Sequence, residues 1–193
     1  MLFRSLGEEL DEGPGTITYN AVINCWSKSN RPEAPQRAFD ILKAMIMKHK
    51  DDGDKNIRPD TVTFNSVLNA YAKQGDIEGA NEVWKIMKNE PTGAKSNVQT
   101  YNILIDAWAK SGNKNGPVEV ETILEEINKG YKSGNLRQRP DEVTYTAMIQ
   151  CLQQFQGTED RVRELKAIIS KKQSSQKHSK KGGRIKRIYR KKI

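Results

Sequence analysis

Cysteine, histidine and long apolar runs are all scarce in this chain of 193 residues. Two cysteines, Cys25 and Cys151, cannot make the disulfide framework that holds small secreted domains together. They fall at matching positions of a repeated block, where each reads as a small hydrophobe between packed helices, in keeping with a reducing compartment. The two histidines, His49 and His178, lie in a charged linker and in a basic tail, away from any metal-ligand neighbour. The chain has no Gly-rich phosphate loop, no His-Glu-x-x-His and no Cys-x-x-Cys, so it reads as a non-enzyme with no cofactor and no metal. No stretch approaches the roughly 20 apolar residues that span a membrane. Acidic residues are missing from 171–193, which hold eleven Lys or Arg; subtracting these from the total charge of +9 leaves −2 for residues 1–170. The basic excess therefore belongs to a tail and not to the folded body. Near the start, Glu8, Glu9, Asp11 and Glu12 argue against a transit peptide, and the apolar run is too short for a signal peptide. Leu2–Leu10 reads as the stub of a preceding helix.

What the chain does have is a repeat. Thr-Val-Thr-Phe-Asn-Ser-Val-Leu-Asn-Ala-Tyr-Ala-Lys-Gln-Gly at 61–75 recurs at 16–30 and 98–112, and more weakly at 142–156. Apolar residues in each copy sit at i, i+3, i+4 and i+7: Phe64, Val67, Leu68 and Tyr71 in one, Tyr101, Leu104, Ile105 and Trp108 in another. That spacing is one face of an α-helix. It outweighs the β-forming Thr-Val-Thr-Phe start, because propensity is a weak prior. Beside it runs an amide-rich strip that begins with Asn20, Asn65, Asn102 and Thr146. Small residues recur at Cys25, Ala70, Ala107 and Cys151, where neighbouring helices are expected to approach closely.

A second amphipathic segment follows each copy, over 32–50, 76–89, 117–131 and 159–171. Pro32 and Pro117 suit a first helical turn, and Gly75 and Gly112 suit helix C-caps. Linkers close on Asp60, Asn97 and Asp141, which are good N-caps. Equivalent sites lie 45, 37 and 44 residues apart; the polar insertions at 48–55 and 129–138 absorb the difference and leave the first helices stacked. The low hydrophobic content of 35% suits a thin solenoid in which each repeat touches only its neighbours. The expected architecture is all-α: a right-handed α-solenoid of about four helix-turn-helix repeats, at 16–60, 61–97, 98–141 and 142–172. A segment at 1–15 precedes it, and a basic tail at 173–193 is too polar to fold alone.

Residues 62–80, 17–30 and 98–112, each with its closing Asp or Asn, resemble the pentatricopeptide repeat; the resemblance covers about residues 16–170. The second helices are longer than the family pattern. The resemblance implies single-stranded RNA as partner, read one base per repeat, in a mitochondrion or plastid, in RNA processing, stability or translation alongside other RNA-processing proteins. By the family's rule two residues per repeat choose the base. One stands in the first turn of the first helix (Asn20, Asn65, Asn102, Thr146), and the other closes the repeat (Asp60, Asn97, Asp141). Asn20 with Asp60 and Asn102 with Asp141 then favour uracil, Asn65 with Asn97 cytosine and next uracil, and Thr146 a purine. Ile17, Val62, Gln99 and Val143 would flank the base planes, Gln99 departing from the usual aliphatic residue. Lys28, Lys73 and Lys110 are placed to meet phosphates or to complement the helix dipole. Capping and base contact are compatible roles for Asp60, Asn97 and Asp141. Two other readings stand beside this one: a tetratricopeptide-like scaffold that grips peptides, and RNA affinity residing in the tail alone, by nonspecific contact.

Overall fold

The computed structural model describes residues 14–53, 55–89 and 92–189. Eight helices follow in order: α1 Thr16–Lys28, α2 Ala34–Asp52, α3 Thr61–Gln74, α4 Ile77–Asn89, α5 Val98–Ser111, α6 Gly116–Lys132, α7 Glu142–Leu152 and α8 Glu159–Tyr189, with a 3-10 turn at Lys55–Ile57. No strand occurs among the described residues. The first helices of the repeats, α1, α3, α5 and α7, pack on one another in sequence, and each of the second helices α2, α4 and α6 packs on its own first helix and on that of the next repeat. This is an α-solenoid of four hairpins. The layer of first helices is its continuous spine.

Burial follows the apolar spacing. Phe64, Val67 and Leu68 of α3, Leu104 and Ile105 of α5, and Met148 of α7 are buried. The facing residues of the second helices are buried too: Phe39 and Leu42, Val83 and Met87, Val120 and Ile127, and Leu165. Each of these side chains contributes about 1.5–3 kcal/mol by leaving water. Ala70 and Ala107 are buried, as the expected close approach of neighbouring helices requires. Gly75 ends α3 with φ 67°, and a Cβ there would lie 2.8 Å from the Lys110 carbonyl oxygen of the next first helix. A positive φ and a backbone contact thus both demand glycine at that turn.

Several expectations need correction. Pro32 lies ahead of α2, and Pro35 takes the early helical position, where its missing N–H costs nothing. The 129–138 insertion is not wholly polar, since Leu136 is buried, and Ile57, just beyond the 48–55 insertion, is buried as well. The tail at 173–193 does not lose regular structure at residue 173; α8 runs on to Tyr189. Extending an anchored helix avoids the nucleation cost, and Lys, Gln and Arg are good helix formers. Leu2–Leu10 lies outside the described residues.

Cys25 and Cys151 also part company. Cys151 is buried and Cys25 is exposed. Val22 is 44% exposed whereas its equivalents Val67 and Met148 are wholly buried. The difference is one of neighbours: each later first helix has another in front of it, and no described helix packs against that face of α1. Burial also raises the Cys151 thiol to about 11, which starves it of thiolate at neutral pH. Maleimide added to the native protein at neutral pH should label Cys25 promptly and Cys151 only after denaturant is added. Peptide mass spectrometry reads this, and equal labelling of both would contradict the burial described.

Candidate nucleic-acid interface

The start of each first helix leaves backbone N–H groups without partners, and a side chain must supply them. Asp60 does so for α3: its Oδ1 accepts from the Thr63 backbone N–H at 2.9 Å. The Asp60 backbone N–H in turn donates to Thr63 Oγ1 at 3.0 Å. Asn97 with Thr100 and Asp141 with Thr144 build the same reciprocal cap on α5 and α7. The sequence shows it as Asp or Asn followed three residues later by Thr, a form of capping box. α1 has Gly15 at that position, with no side-chain cap.

The caps do more than end helices. Thr63 Oγ1 donates to Asn20 Oδ1 at 2.7 Å, and Asn20 Nδ2 donates to Asp60 Oδ1 at 3.3 Å. Thr144 Oγ1 donates to Asn102 Oδ1 at 2.7 Å, and Asn102 Nδ2 donates to Asp141 Oδ1 at 3.3 Å. Thr100 Oγ1 donates to Asn65 Oδ1 at 2.8 Å; here no bond joins the Asn65 amide to Asn97 among the described residues. The sequence-predicted pairs Asn20 with Asp60, Asn65 with Asn97 and Asn102 with Asp141 are therefore brought together across each repeat boundary. The threonine between them was not foreseen, because Thr-Val-Thr-Phe reads first as a β-forming start. The Asp-x-x-Thr and Asn-x-x-Thr spacing was the signal that would have found it.

Around these pairs the chain leaves apolar groups in the open. Ile17 is 86% exposed, Val62 58% and Val143 61%, and Gln99 at the equivalent site is exposed as well. Between α5 and α7 lies a cavity of about 830 Å³ whose walls include Gln99, Asn102, Asp141, Val143 and Thr146. Five residues picked from the sequence thus line one cleft. Its aliphatic side chains offer flat contacts and its amide and carboxylate offer directed ones. Thr146 differs from the asparagines: no cap box of a further repeat stands beside it among the described residues, and its hydroxyl donates to its own helix at the Glu142 carbonyl, 2.7 Å away.

Charge is arranged unevenly here. Lys28, Lys73 and Lys110 all stand in the last turn of a first helix, where they complement the helix dipole. Lys110 is also paired with Asp106 at 2.6 Å, and neither Lys28 nor Lys73 forms an ion pair among the described residues. Lys172, the last residue before the tail, reaches back over the Tyr145 ring at 4.6 Å and donates to the Pro140 carbonyl at 2.6 Å, so α8 braces the loop that carries Asp141. No group of three or more His, Cys, Asp or Glu able to hold a metal occurs among the described residues. No described helix is long and apolar enough to cross a membrane.

Burial acts to raise the Asp141 carboxyl, but the bonds from Thr144 and Asn102 outweigh it and hold the carboxyl below the ordinary value of 3.8. A depressed folded value means that the ionised cap stabilises the fold above about pH 4, and that this contribution fades as pH falls through the folded value. Asp141→Ala should cost about 1 kcal/mol at neutral pH, read by denaturant unfolding, with the gap from the parent protein closing below pH 4. A gap that persists undiminished at low pH would show that the charge is not what stabilises the cap.

Residues 17–49 match the model of the PPR repeat, and residues 59–110 match that of the PPR repeat family. No curated protein matches the chain.

Proposed function

This chain is a pentatricopeptide repeat protein, and we propose that it binds single-stranded RNA along the strip of Asn20, Asn65, Asn102 and Thr146, one base to a repeat. Members of the family generally bind RNA in organelles and are generally not catalysts. The observation that carries the proposal is the cleft between α5 and α7, where Asn102, Asp141, Gln99, Val143 and Thr146 meet in one space of about 830 Å³.

The chemistry supports pyrimidines. Each asparagine spends its oxygen on a threonine hydroxyl. In Asn20 and Asn102 one amide proton goes to the neighbouring carboxylate, which leaves the other for a ligand. Uracil presents an N3–H, which an acceptor-only carboxylate such as Asp60 or Asp141 suits. Cytosine presents a lone pair at N3, which the amide of Asn97 suits better. The array so read is uracil, cytosine, uracil, and then a purine at Thr146. Val62 and Val143 would flank base planes, as would Ile17, with Gln99 giving a poorer surface. Acidic Asp106 and Glu142 in the same cleft would repel phosphates, so in this reading base edges enter the cleft and phosphates stay outside, near Lys28 and Lys73. Lys110 would have to leave Asp106 to join them. The basic residues of 171–193 would add affinity without choosing a base. A mitochondrion or plastid is the proposed location, with other RNA-processing proteins as the proposed company.

The test is binding of the full chain to short labelled RNAs. A run containing U-C-U should bind more tightly than oligo-A, with affinity falling as salt rises. Asn65→Ala and Asn102→Ala should each weaken U-C-U binding by about fivefold, the net worth of one hydrogen bond. Equal binding of both RNAs would overturn the proposal, and so would insensitivity to both substitutions with complete loss on deleting 173–193.

A further inference from the structure

A carboxamide is nearly symmetric in shape and opposite in chemistry at its two ends. Turning it by half a revolution swaps an acceptor for two donors at almost no steric cost. An asparagine that reads a base must therefore be held one way round, and something whose own polarity cannot change must do the holding.

The cap boxes contain such a group. The backbone N–H of Asp60 points at Thr63 Oγ1, 3.0 Å away. A backbone N–H can only donate, so the hydroxyl accepts there and its single proton is left to go elsewhere. The shorter of its two onward contacts runs to Asn20 Oδ1, at 2.7 Å, against 2.9 Å to Asp60 Oδ1. Repeat boundaries two and three repeat the chain: the Asn97 N–H meets Thr100 Oγ1 at 3.1 Å and the hydroxyl meets Asn65 Oδ1 at 2.8 Å, while the Asp141 N–H meets Thr144 Oγ1 at 3.1 Å and the hydroxyl meets Asn102 Oδ1 at 2.7 Å. All three threonines are wholly buried, so water does not compete for these bonds.

We propose that Thr63, Thr100 and Thr144 are specificity-positioning residues: each passes the fixed polarity of a backbone N–H to the asparagine of the preceding repeat and so sets which end of its carboxamide faces the RNA. This rests on the RNA reading above. It adds a third residue to each base-reading unit, and it makes every unit straddle two repeats.

The three units are not equally secured. Asn20 and Asn102 are also held by a carboxylate that accepts from their Nδ2, so an acceptor-only group backs up the threonine. Asn65, 6% exposed, has no such second hydrogen bond; Thr100 is the one side chain that fixes its polarity among the described residues. Loss of the hydroxyl should therefore cost the most discrimination at Asn65. The first repeat supplies a control. Thr18 occupies the same register but is exposed, and no asparagine of an earlier described repeat stands before it.

The experiment compares two RNAs that differ only at the middle base, U-C-U against U-A-U, on the full chain. The quantity read is the ratio of the two affinities, in which the nonspecific contribution of the basic tail cancels. Thr100→Val should lower that ratio by about fivefold, the worth of one net hydrogen bond. Thr100→Ser should restore it, and Thr18→Val should leave it alone. Thr63→Val and Thr144→Val, assayed at their own positions, should have smaller effects. Thr100→Ala removes the hydroxyl without adding a methyl, and it replaces the valine variant if that one does not fold. A purely structural threonine would lower the melting temperature and leave the ratio unchanged; that result overturns this inference alone. A parent protein that does not discriminate between the RNAs overturns the RNA reading together with it.

Discussion

One hydrogen bond, from a first-turn threonine of one hairpin to an asparagine of the hairpin before it, ties fold and site together. It appears at 2.7, 2.8 and 2.7 Å across the three boundaries. The same threonine closes the cap of its own helix. A cap answers a local need, since the first N–H groups of any helix lack partners. Here the answer reaches sideways into the neighbouring repeat. Packing of each first helix on the next makes such reach possible, and small buried residues such as Ala70 and Ala107 take up little room in that stack.

The two ends of the described array show what a repeat owes to its neighbours. α1 carries the same sequence pattern as α3 and α5, yet Thr18, Val22 and Cys25 are exposed where Thr63, Val67 and Ala70 are buried. Identical spacing gives different surroundings because no described helix stands in front. At the other end Thr146 has no following cap box among the described residues and turns its hydroxyl onto its own backbone. α8 covers that end partly, with Lys172 held at Pro140 and Arg161 forming a two-pronged ion pair with Glu121 of α6 at 2.7 Å. In a stack of this kind stability is close to a sum of hairpin and boundary terms, so each boundary bond matters locally rather than to the whole.

Much of this was legible in the residues. The i, i+3, i+4, i+7 spacing placed every first helix and, from α3 onward, named its buried side chains, because one face of a helix has only one period; on α1 only Ile23 of that face is buried. Asp60, Asn97 and Asp141 were legible as caps, since few residue types can satisfy orphan N–H groups. Their meeting with Asn20, Asn65 and Asn102 was legible through the resemblance to a known repeat. What a single stretch of sequence did not reveal was context between repeats. Cys25 and Cys151 look alike in register and differ in burial. Ile57 and Leu136 hide in polar linkers, where two apolar side chains leave no periodic trace. Thr63, Thr100 and Thr144 were read for local propensity, although their effect depends on a partner some forty residues away. Helix α8 outran its amphipathic stretch because polar straight-chain residues extend a helix without advertising it.

A double-mutant cycle at the third boundary tests the central bond most directly. Asn102→Ala, Thr144→Val and the double variant are unfolded in denaturant beside the parent protein. The account predicts that the two substitutions are coupled by about 1 kcal/mol, the double variant losing less than the sum of the singles. Additive losses would mean that the asparagine and the threonine act independently, and the boundary bond would not be what joins fold to site.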